Sequence, residues 1–362
     1  MPFDDLFPNR SHVNHPSPAP TPPWLDGLNA PQREAVLTTE GPVLLLAGAG
    51  TGKTAALTAR MAQILYTRLA WPSEILAVTF TNKAAREMRE RIGAMVGSAV
   101  EGMPWLGTFH SIGAKLLRRH AEIIGLQSNF TIIDTDDQIR LLKQLIQSED
   151  LDEKRFPARG LAALLDKWKN AGKSPADLDA ADNEAFANGK GQRMYALYQA
   201  RLLALNACDF GDLLLHGLNL LKNNRDILEK YQAQFKYILV DEYQDTNAVQ
   251  YLWLRLLAQK RKNICCVGDD DQSIYAFRGA DIQNILNFER DYPDLMTIKL
   301  EENYRSTKAI VAVANSIISR NKNQLKKDVF TSNEDGDDIE IIRASSDNEE
   351  GRMIASAIFE AA

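Results

Sequence analysis

The 362 residues are 45% hydrophobic, 25% charged and 8% aromatic, which excludes a wholly disordered chain and a single small domain. The formal charge of −6 argues against a general nucleic-acid coat protein, yet it is uneven: residues 331–362 hold nine acidic and two basic residues, leaving +1 for residues 1–330. Three cysteines lack disulfide or metal-ligand spacing, no apolar run approaches the ~18 residues of a membrane span, and MPFDDLFPNR is not a signal peptide, so a soluble cytoplasmic protein is expected.

Residues 1–23 carry seven of the fourteen prolines and no periodicity, the pattern of a disordered Pro-rich tail, with order beginning near Trp24. VLLLAG (43–48), ILAVTFT (75–81), YILVDE (237–242) and ICCVGDD (264–270) then read as buried strands, each followed by a helical pattern. The helix from Thr54 is apolar at Leu57, Met61, Ile64 and Leu65. Strands alternating with amphipathic helices predict an α/β fold with a parallel sheet over 24–112 and 208–295. Between 113 and 207 the apolar spacing is helical with no convincing strand, so a helical insertion is expected there. MTIKLEENY and the helix STKAIVAVANSIIS, with Ser306 as N-cap, open an incomplete second α/β unit over 296–362, continued by DIEIIRA and EEGRMIASAIFEAA.

VLLLAGAGTGKT places a Gly-rich turn between a strand and a helix. Only glycine lets a chain turn tightly enough for backbone N–H groups to converge on a triphosphate. Gly48, Ala49, Gly50, Thr51 and Gly52 would cradle ATP, Lys53 would reach its β- and γ-phosphates, and the Thr54 hydroxyl would ligate Mg²⁺. One position departs from G-x-x-x-x-G-K-[ST]: Ala47 stands at its first glycine. In YILVDEYQD, Asp241 can hold the same metal and Glu242 can orient or deprotonate the attacking water. Together they predict nucleotide hydrolysis.

TFTNKAAREMRERI, GTFHS, VGDDDQSIYAFRGA and LEENYRS all fall at strand ends, the ligand edge of an open α/β sheet. Phe80, Phe109, Tyr275 and Phe277 stand there beside Thr81, Asn82, Lys83, Thr108 and Arg278. Bases of a single strand stack on aromatic faces for ~1–3 kcal/mol each, while polar and cationic groups hold the backbone. A track that binds the bases of a single strand is therefore expected along this edge. His110 reads as a hydrogen-bonded structural residue, Cys265 and Cys266 as core, and NEDGDD (333–338) as a solvated loop.

The series LNAPQREAV, AGAGTGKT, TFTNKAA, GTFHS, DEYQDTN, GDDDQSIYAFRGA and LEENYRS closely resembles the UvrD/PcrA/Rep family of superfamily-one DNA helicases, from about residue 28 to 306 and weakly beyond. The resemblance implies a RecA-like P-loop NTPase sheet with an inserted helical subdomain and the start of a second RecA-like domain. It implies ATP and Mg²⁺ as cofactors, 3′→5′ movement on single-stranded DNA, action at single/double-strand junctions in repair or replication restart with repair proteins as partners, and a nucleoid-associated location. By resemblance, Gln32 reads adenine, Tyr304 stacks on it, Arg60 lies near the nucleotide, Gln272 senses the γ-phosphate and Arg305 neutralises it. Lys53, Glu242, Gln272 and Arg305 form the catalytic set, Thr54 and Asp241 the metal ligands, and Phe80, Asn82, Thr108, Tyr275, Phe277 and Arg278 the DNA contacts. Phe277 stands where relatives often carry Trp, and Tyr243 where they often carry Phe. The segment 272–278 carries both γ-phosphate and DNA contacts and is expected to couple the two sites. The family's later motifs, with a second arginine worth ~10³–10⁵ in rate, are missing from these residues, so this chain is expected to bind ATP and DNA, hydrolyse slowly and not unwind. Two other readings share the motifs: a motor subunit of an AddA/RecB-like helicase–nuclease, and a nucleotide-dependent DNA-binding module without unwinding.

Overall fold

The computed structural model describes residues 22–322 and 324–361, without the side chains of Arg278 and Ala361; the predicted tail over 1–23 falls outside it apart from its last two residues. The strands among the described residues are β1 Val43–Ala47, β2 Ile75–Thr79, β3 Leu106–Thr108, β4 Thr131–Ile132, β5 Ala207–Cys208, β6 Tyr237–Val240, β7 Ile264–Gly268 and β8 Met296–Leu300. The helices are α1 Ala30–Leu37, α2 Lys53–Tyr66, α3 Asn82–Val96, α4 Phe109–Arg119, α5 Thr135–Ser148, α6 Ala158–Asn170, α7 Ala180–Glu184, α8 Gly191–Ala204, α9 Phe210–Asn223, α10 Arg225–Gln234, α11 Ala248–Ala258, α12 Gln283–Leu286, α13 Phe288–Asp291, α14 Lys308–Ile318 and α15 Asp347–Ala361. None of the described helices is long and apolar enough to cross a membrane.

Six strands make one all-parallel sheet in the order β3-β2-β6-β7-β1-β8, so all their carboxyl ends share one edge. Both faces of the sheet are covered. Val43, Leu45, Ala47, Ala77, Leu239 and Cys265 pack on one side with Leu57 and Met61 of α2 and Ile92 of α3. Leu44, Leu46, Val78, Val240 and Cys266 pack on the other with residues of α4, α9, α10 and α11. Burial on both faces is why these strands read as continuous apolar runs rather than alternating ones. The sheet is a RecA-like α/β core.

Strand β8, expected to open a second unit, instead joins this sheet, pairing with β1 from Val43–Met296 to Ala47–Leu300. It lies at the edge, so only Ile298 and Leu300 are buried while Thr297 and Lys299 face outward. Two further differences follow in the same region. Thr307, not Ser306, is the N-cap of α14, because the Asn303 side chain accepts the N–H groups of both Arg305 and Ser306 and carries the turn one residue further. DIEIIRA forms no strand, since no described strand lies beside it to take its backbone hydrogen bonds.

Helices α5, α6 and α8 close around their own core of Leu142, Ile146, Leu161, Leu165, Trp168, Met194 and Tyr198. By contrast, Leu116, Leu117, Leu126 and Phe130 belong to the core beneath the sheet. Where no strand was expected, a two-residue parallel pair, β4 with β5, closes the helical unit; it is too short to leave a periodicity.

The helical unit is fastened by a buried polar node. The Lys169 ammonium of α6, fully buried, lies 2.6 Å from Asp209 and 2.7 Å from Asp212 at the start of α9. Tyr198 of α8 and Gln138 of α5 donate to Asp209 at 2.8 and 3.3 Å, and Gln199 donates to Asp212 at 2.9 Å. Burial pulls the Lys169 ammonium down, but Asp212 and Asp209 outweigh it and hold it above the ordinary lysine value. Removing one partner of such a cluster strands charge in the interior. Lys169→Met is therefore expected to cost about 3–5 kcal/mol in urea unfolding, whereas removing the exposed ion pair Arg225–Glu229, which water already solvates, should leave the midpoint nearly unchanged.

Candidate nucleotide site and nucleic-acid groove

At the carboxyl end of β1 the chain turns through Gly48–Gly52 into α2. Gly50 (φ +72°) and Gly52 (φ +82°) are left-handed, and neither has room for a side chain. A Cβ on Gly50 would lie 2.7 Å from Arg305 Cβ, and one on Gly52 would lie 2.6 Å from Gln32 Nε2. Ala47 tolerates its methyl because it is still the last residue of the extended, buried strand β1. Thr51 Oγ1 donates to the Gly48 carbonyl at 2.8 Å and closes the loop on itself.

The loop is gripped from two sides. Asn29 and Gln32 form the capping box of α1, and Gln32 Nε2 reaches across to the Thr51 carbonyl at 2.9 Å. From beyond β8, Asn303 Nδ2 donates to the Ala49 carbonyl at 2.7 Å and the Tyr304 N–H donates to Gly50 at 3.0 Å. The Tyr304 hydroxyl meets Asn29 Nδ2 at 2.8 Å while its side chain stays about half exposed. Gln32, Tyr304 and Arg305 thus all border the glycine-rich loop.

Arg60 requires a correction. It lies along α2 away from the loop, 2% exposed, donating to the carbonyls of Ala35 at 2.6 Å and Thr39 at 3.1 Å. It ties α1 to α2, with both terminal nitrogens of its guanidinium engaged by backbone carbonyls. Charge alone did not distinguish a buried tether from a ligand contact.

Opposite the loop, β6 delivers two carboxylates. Asp241 is buried; its Oδ1 accepts the Glu242 N–H at 3.1 Å, and the Thr54 hydroxyl also bonds it. Burial and the Glu242 charge push the Asp241 carboxyl up to about 6, against opposition from Lys53 and these hydrogen bonds. Glu242 sits in the left-handed region (φ +51°, ψ +48°), a costly place for a non-glycine residue, and this turns its carboxylate toward the loop. There Glu242 Oε2 accepts from Lys53 Nζ at 3.2 Å and from Gln244 Nε2 at 2.8 Å. Gln244 Oε1 takes the Asp269 N–H at 3.0 Å, and Asp269 Oδ2 accepts from Gln272 Nε2. A single polar path therefore runs from Lys53 to Gln272.

Beyond Gln272, the Tyr275 ring makes tilted contacts with Phe80, centroids 4.8 Å apart, and with Phe277, 5.9 Å away. Phe277 is 78% exposed. These rings flank a cleft of about 1020 Å³ between the sheet edge and α6, lined among others by Phe80, His110, Lys167, Asn170, Phe210 and Phe277. The other expected contacts sit differently. Asn82 is exposed at the start of α3, Thr108 is 7% exposed and occupied as N-cap of α4, and the Arg278 side chain lies outside the description. His110, read as structural, faces the cleft edge-on to Phe210 at 6.0 Å, with burial lowering its pKa. Phe210 itself was missed. Its only sequence signal is an aromatic at the first position of a helix whose remaining apolar residues are mostly leucines.

Sheet, glycine-rich loop and paired carboxylates define a RecA-like P-loop NTPase. Residues 28–293 match the UvrD/REP helicase N-terminal domain and residues 298–362 the UvrD-like helicase C-terminal domain, and the chain belongs to this helicase family, whose members include ATP-dependent DNA helicases. It is 50% identical over 337 residues to a probable DNA helicase II homolog of Rickettsia conorii, covering 92% of this chain and 51% of that one. It is 48% identical over 338 residues to DNA helicase II of Rickettsia typhi, with the same coverages. Against the ATP-dependent DNA helicase PcrA of Staphylococcus aureus the figures are 46% over 334 residues, 92% and 46%. The chain spans about half the length of the curated relatives it matches.

The raised Asp241 carboxyl has a stability consequence. Above pH ~6 the group is charged in both folded and unfolded chains, and the folded state bears the penalty; between 6 and the ordinary 3.8 only the folded chain takes up the proton and the penalty fades. In metal-free buffer Asp241→Asn should therefore raise stability at pH 8 by about 1–3 kcal/mol, and the gain should vanish near pH 4 in urea titrations.

Proposed function

We propose that this chain is the ATP-driven part of a DNA helicase that moves 3′→5′ on single-stranded DNA and works at single/double-strand junctions in repair or replication restart. The observation that carries this reading is the polar path from Lys53 through Glu242, Gln244 and Asp269 to Gln272, three residues before Tyr275, whose ring lies against Phe80 and Phe277 of the cleft wall. On this reading the protein works in the cytoplasm with the nucleoid. β1–β3 and β6–β8 belong to the first motor domain, α5–α8 to an inserted subdomain, and residues after β8 to part of a second motor domain.

Backbone N–H groups of Gly48–Gly52 would receive the phosphates, with the Gln32 amide and the Tyr304 ring at the base. Thr54 and Asp241 are hard oxygen donors already bonded to each other, the chemistry that suits Mg²⁺. Bound there, the ion would neutralise charge on the β- and γ-oxygens. Lys53 would leave Glu242 for phosphate, freeing that carboxylate to orient and deprotonate water. Gln272 would contact the γ-phosphate, and Arg305, exposed beside Gly50, would add positive charge. Phe80, Tyr275, Phe277 and Phe210 would stack on bases, and Lys167 would hold the backbone.

The test is the ATPase rate of the chain with and without oligo-dT. The rate should rise with the oligonucleotide, fall by ~10²–10⁴-fold in Glu242→Gln and disappear in Lys53→Ala. A rate indifferent to oligo-dT, or unaffected by Lys53→Ala, would contradict the reading.

A further inference from the structure

Three consecutive carboxylates, Asp269, Asp270 and Asp271, follow β7 with their oxygens within 4.8 Å of one another, close enough for a metal ion. The place is already filled by a cation from the chain. Lys327 Nζ lies 2.9 Å from Asp269, 2.8 Å from Asp270 and 2.6 Å from Asp271, with its side chain 4% exposed. The Leu325 N–H adds a hydrogen bond to Asp270 Oδ2 at 2.7 Å. Burial disfavours the ammonium, but the three carboxylates outweigh that and hold its pKa above the ordinary lysine value, so it stays charged.

This contact crosses the division between the two family domains, since Lys327 lies within the C-terminal match and the aspartates within the N-terminal one. The two ends of the contact lead to different sites. On one side, Asp269 uses its other oxygen to hold Gln272, and the same segment continues to Tyr275, whose ring lies against Phe80 of the cleft wall, and to Phe277, which lines the cleft. On the other, the Lys327 segment lies against the glycine-rich loop. Val329 packs over Gly48, where an added Cβ would come 2.7 Å from Val329 Cγ2. Asp328 and Phe330 donate their N–H groups to Glu301, and the Phe330 carbonyl accepts from Asn303, whose side chain holds Ala49.

We propose that Lys327 is a positioning residue that couples the nucleotide loop to the DNA groove, by fixing Asp269, and hence Gln272 and Tyr275, relative to the segment packed on that loop. A shift of the loop carries the 327–330 segment with it, and the buried ammonium passes the shift to Asp269. The inference rests on the nucleotide and DNA reading above, and it predicts that the two ligands feel each other through this lysine.

Coupling between ligands is reciprocal and is measured by binding alone, without hydrolysis. The experiment is fluorescence anisotropy of labelled oligo-dT on the whole chain, with and without a non-hydrolysable ATP analogue and Mg²⁺. In the parent chain the nucleotide should change the oligo-dT Kd by about fivefold or more. In Lys327→Met that ratio should collapse to about one, while the Kd for each ligand alone shifts by less than about threefold. Lys327→Arg should restore most of the ratio. If Lys327→Met fails to fold, the double variant Lys327→Met, Asp271→Asn, which removes charges in pairs, should show the same collapse. An unchanged ratio in a folded Lys327→Met or double variant, with both ligands bound, would overturn the role of Lys327 alone, as would a parent that binds both ligands independently. A parent that binds neither would overturn the nucleotide and DNA reading and this inference with it.

Discussion

The Lys53–Glu242 pair, 3.2 Å long, is the contact on which the other features of the site converge. Its two members lie just beyond the ends of β1 and β6, non-adjacent strands brought to one edge by an all-parallel sheet. Neither is placed cheaply. Lys53 is held by a loop whose glycines have left-handed backbones and no space for side chains, and Glu242 itself occupies the left-handed region. Asp241 beside it is buried as a carboxylate against its own preference. The apolar core on both faces of the sheet, with no gap along β1, β2, β6 or β7, keeps these strained positions in register.

From that pair, order propagates through amides. Gln244 uses one end of its side chain on Glu242 and the other on the Asp269 N–H, so one residue fixes the relative position of β6 and β7 at their ligand edge. Gln272 and Lys327 then meet on Asp269 from opposite directions. Within this arrangement, a group bound near Lys53 is linked by a handful of short contacts both to the aromatic cleft and to the segment after α14. The members of such a network hold one another in place, because a half-broken buried polar network leaves charges without partners.

Much of this was legible from sequence. Short apolar runs ending in Gly, Thr or Asp mark strands whose ends carry polar work, and each of the four runs noted is a strand of the sheet. Leu57, Met61, Ile64 and Leu65 are buried in α2, which is covered all round from Ala56 to Leu65, and Cys265 and Cys266 are core as read. What stayed hidden was non-local. Nothing in MTIKL says that β8 pairs with β1, some 250 residues earlier, rather than starting a new sheet. Arg60 carries the same charge whether it faces phosphate or two backbone carbonyls. Phe210 and Lys327 gain their positions from partners far along the chain, and a single aromatic or lysine has no periodicity to betray it.

On the proposed function, the nucleotide and DNA sites are joined through the Asp269–Gln272 turn. The most direct measurement is Gln272→Ala, which shortens that path at its end without touching the glycine-rich loop. This variant should bind an ATP analogue with Kd near the parent's, while oligo-dT no longer accelerates its hydrolysis. Full acceleration by oligo-dT in Gln272→Ala would contradict it.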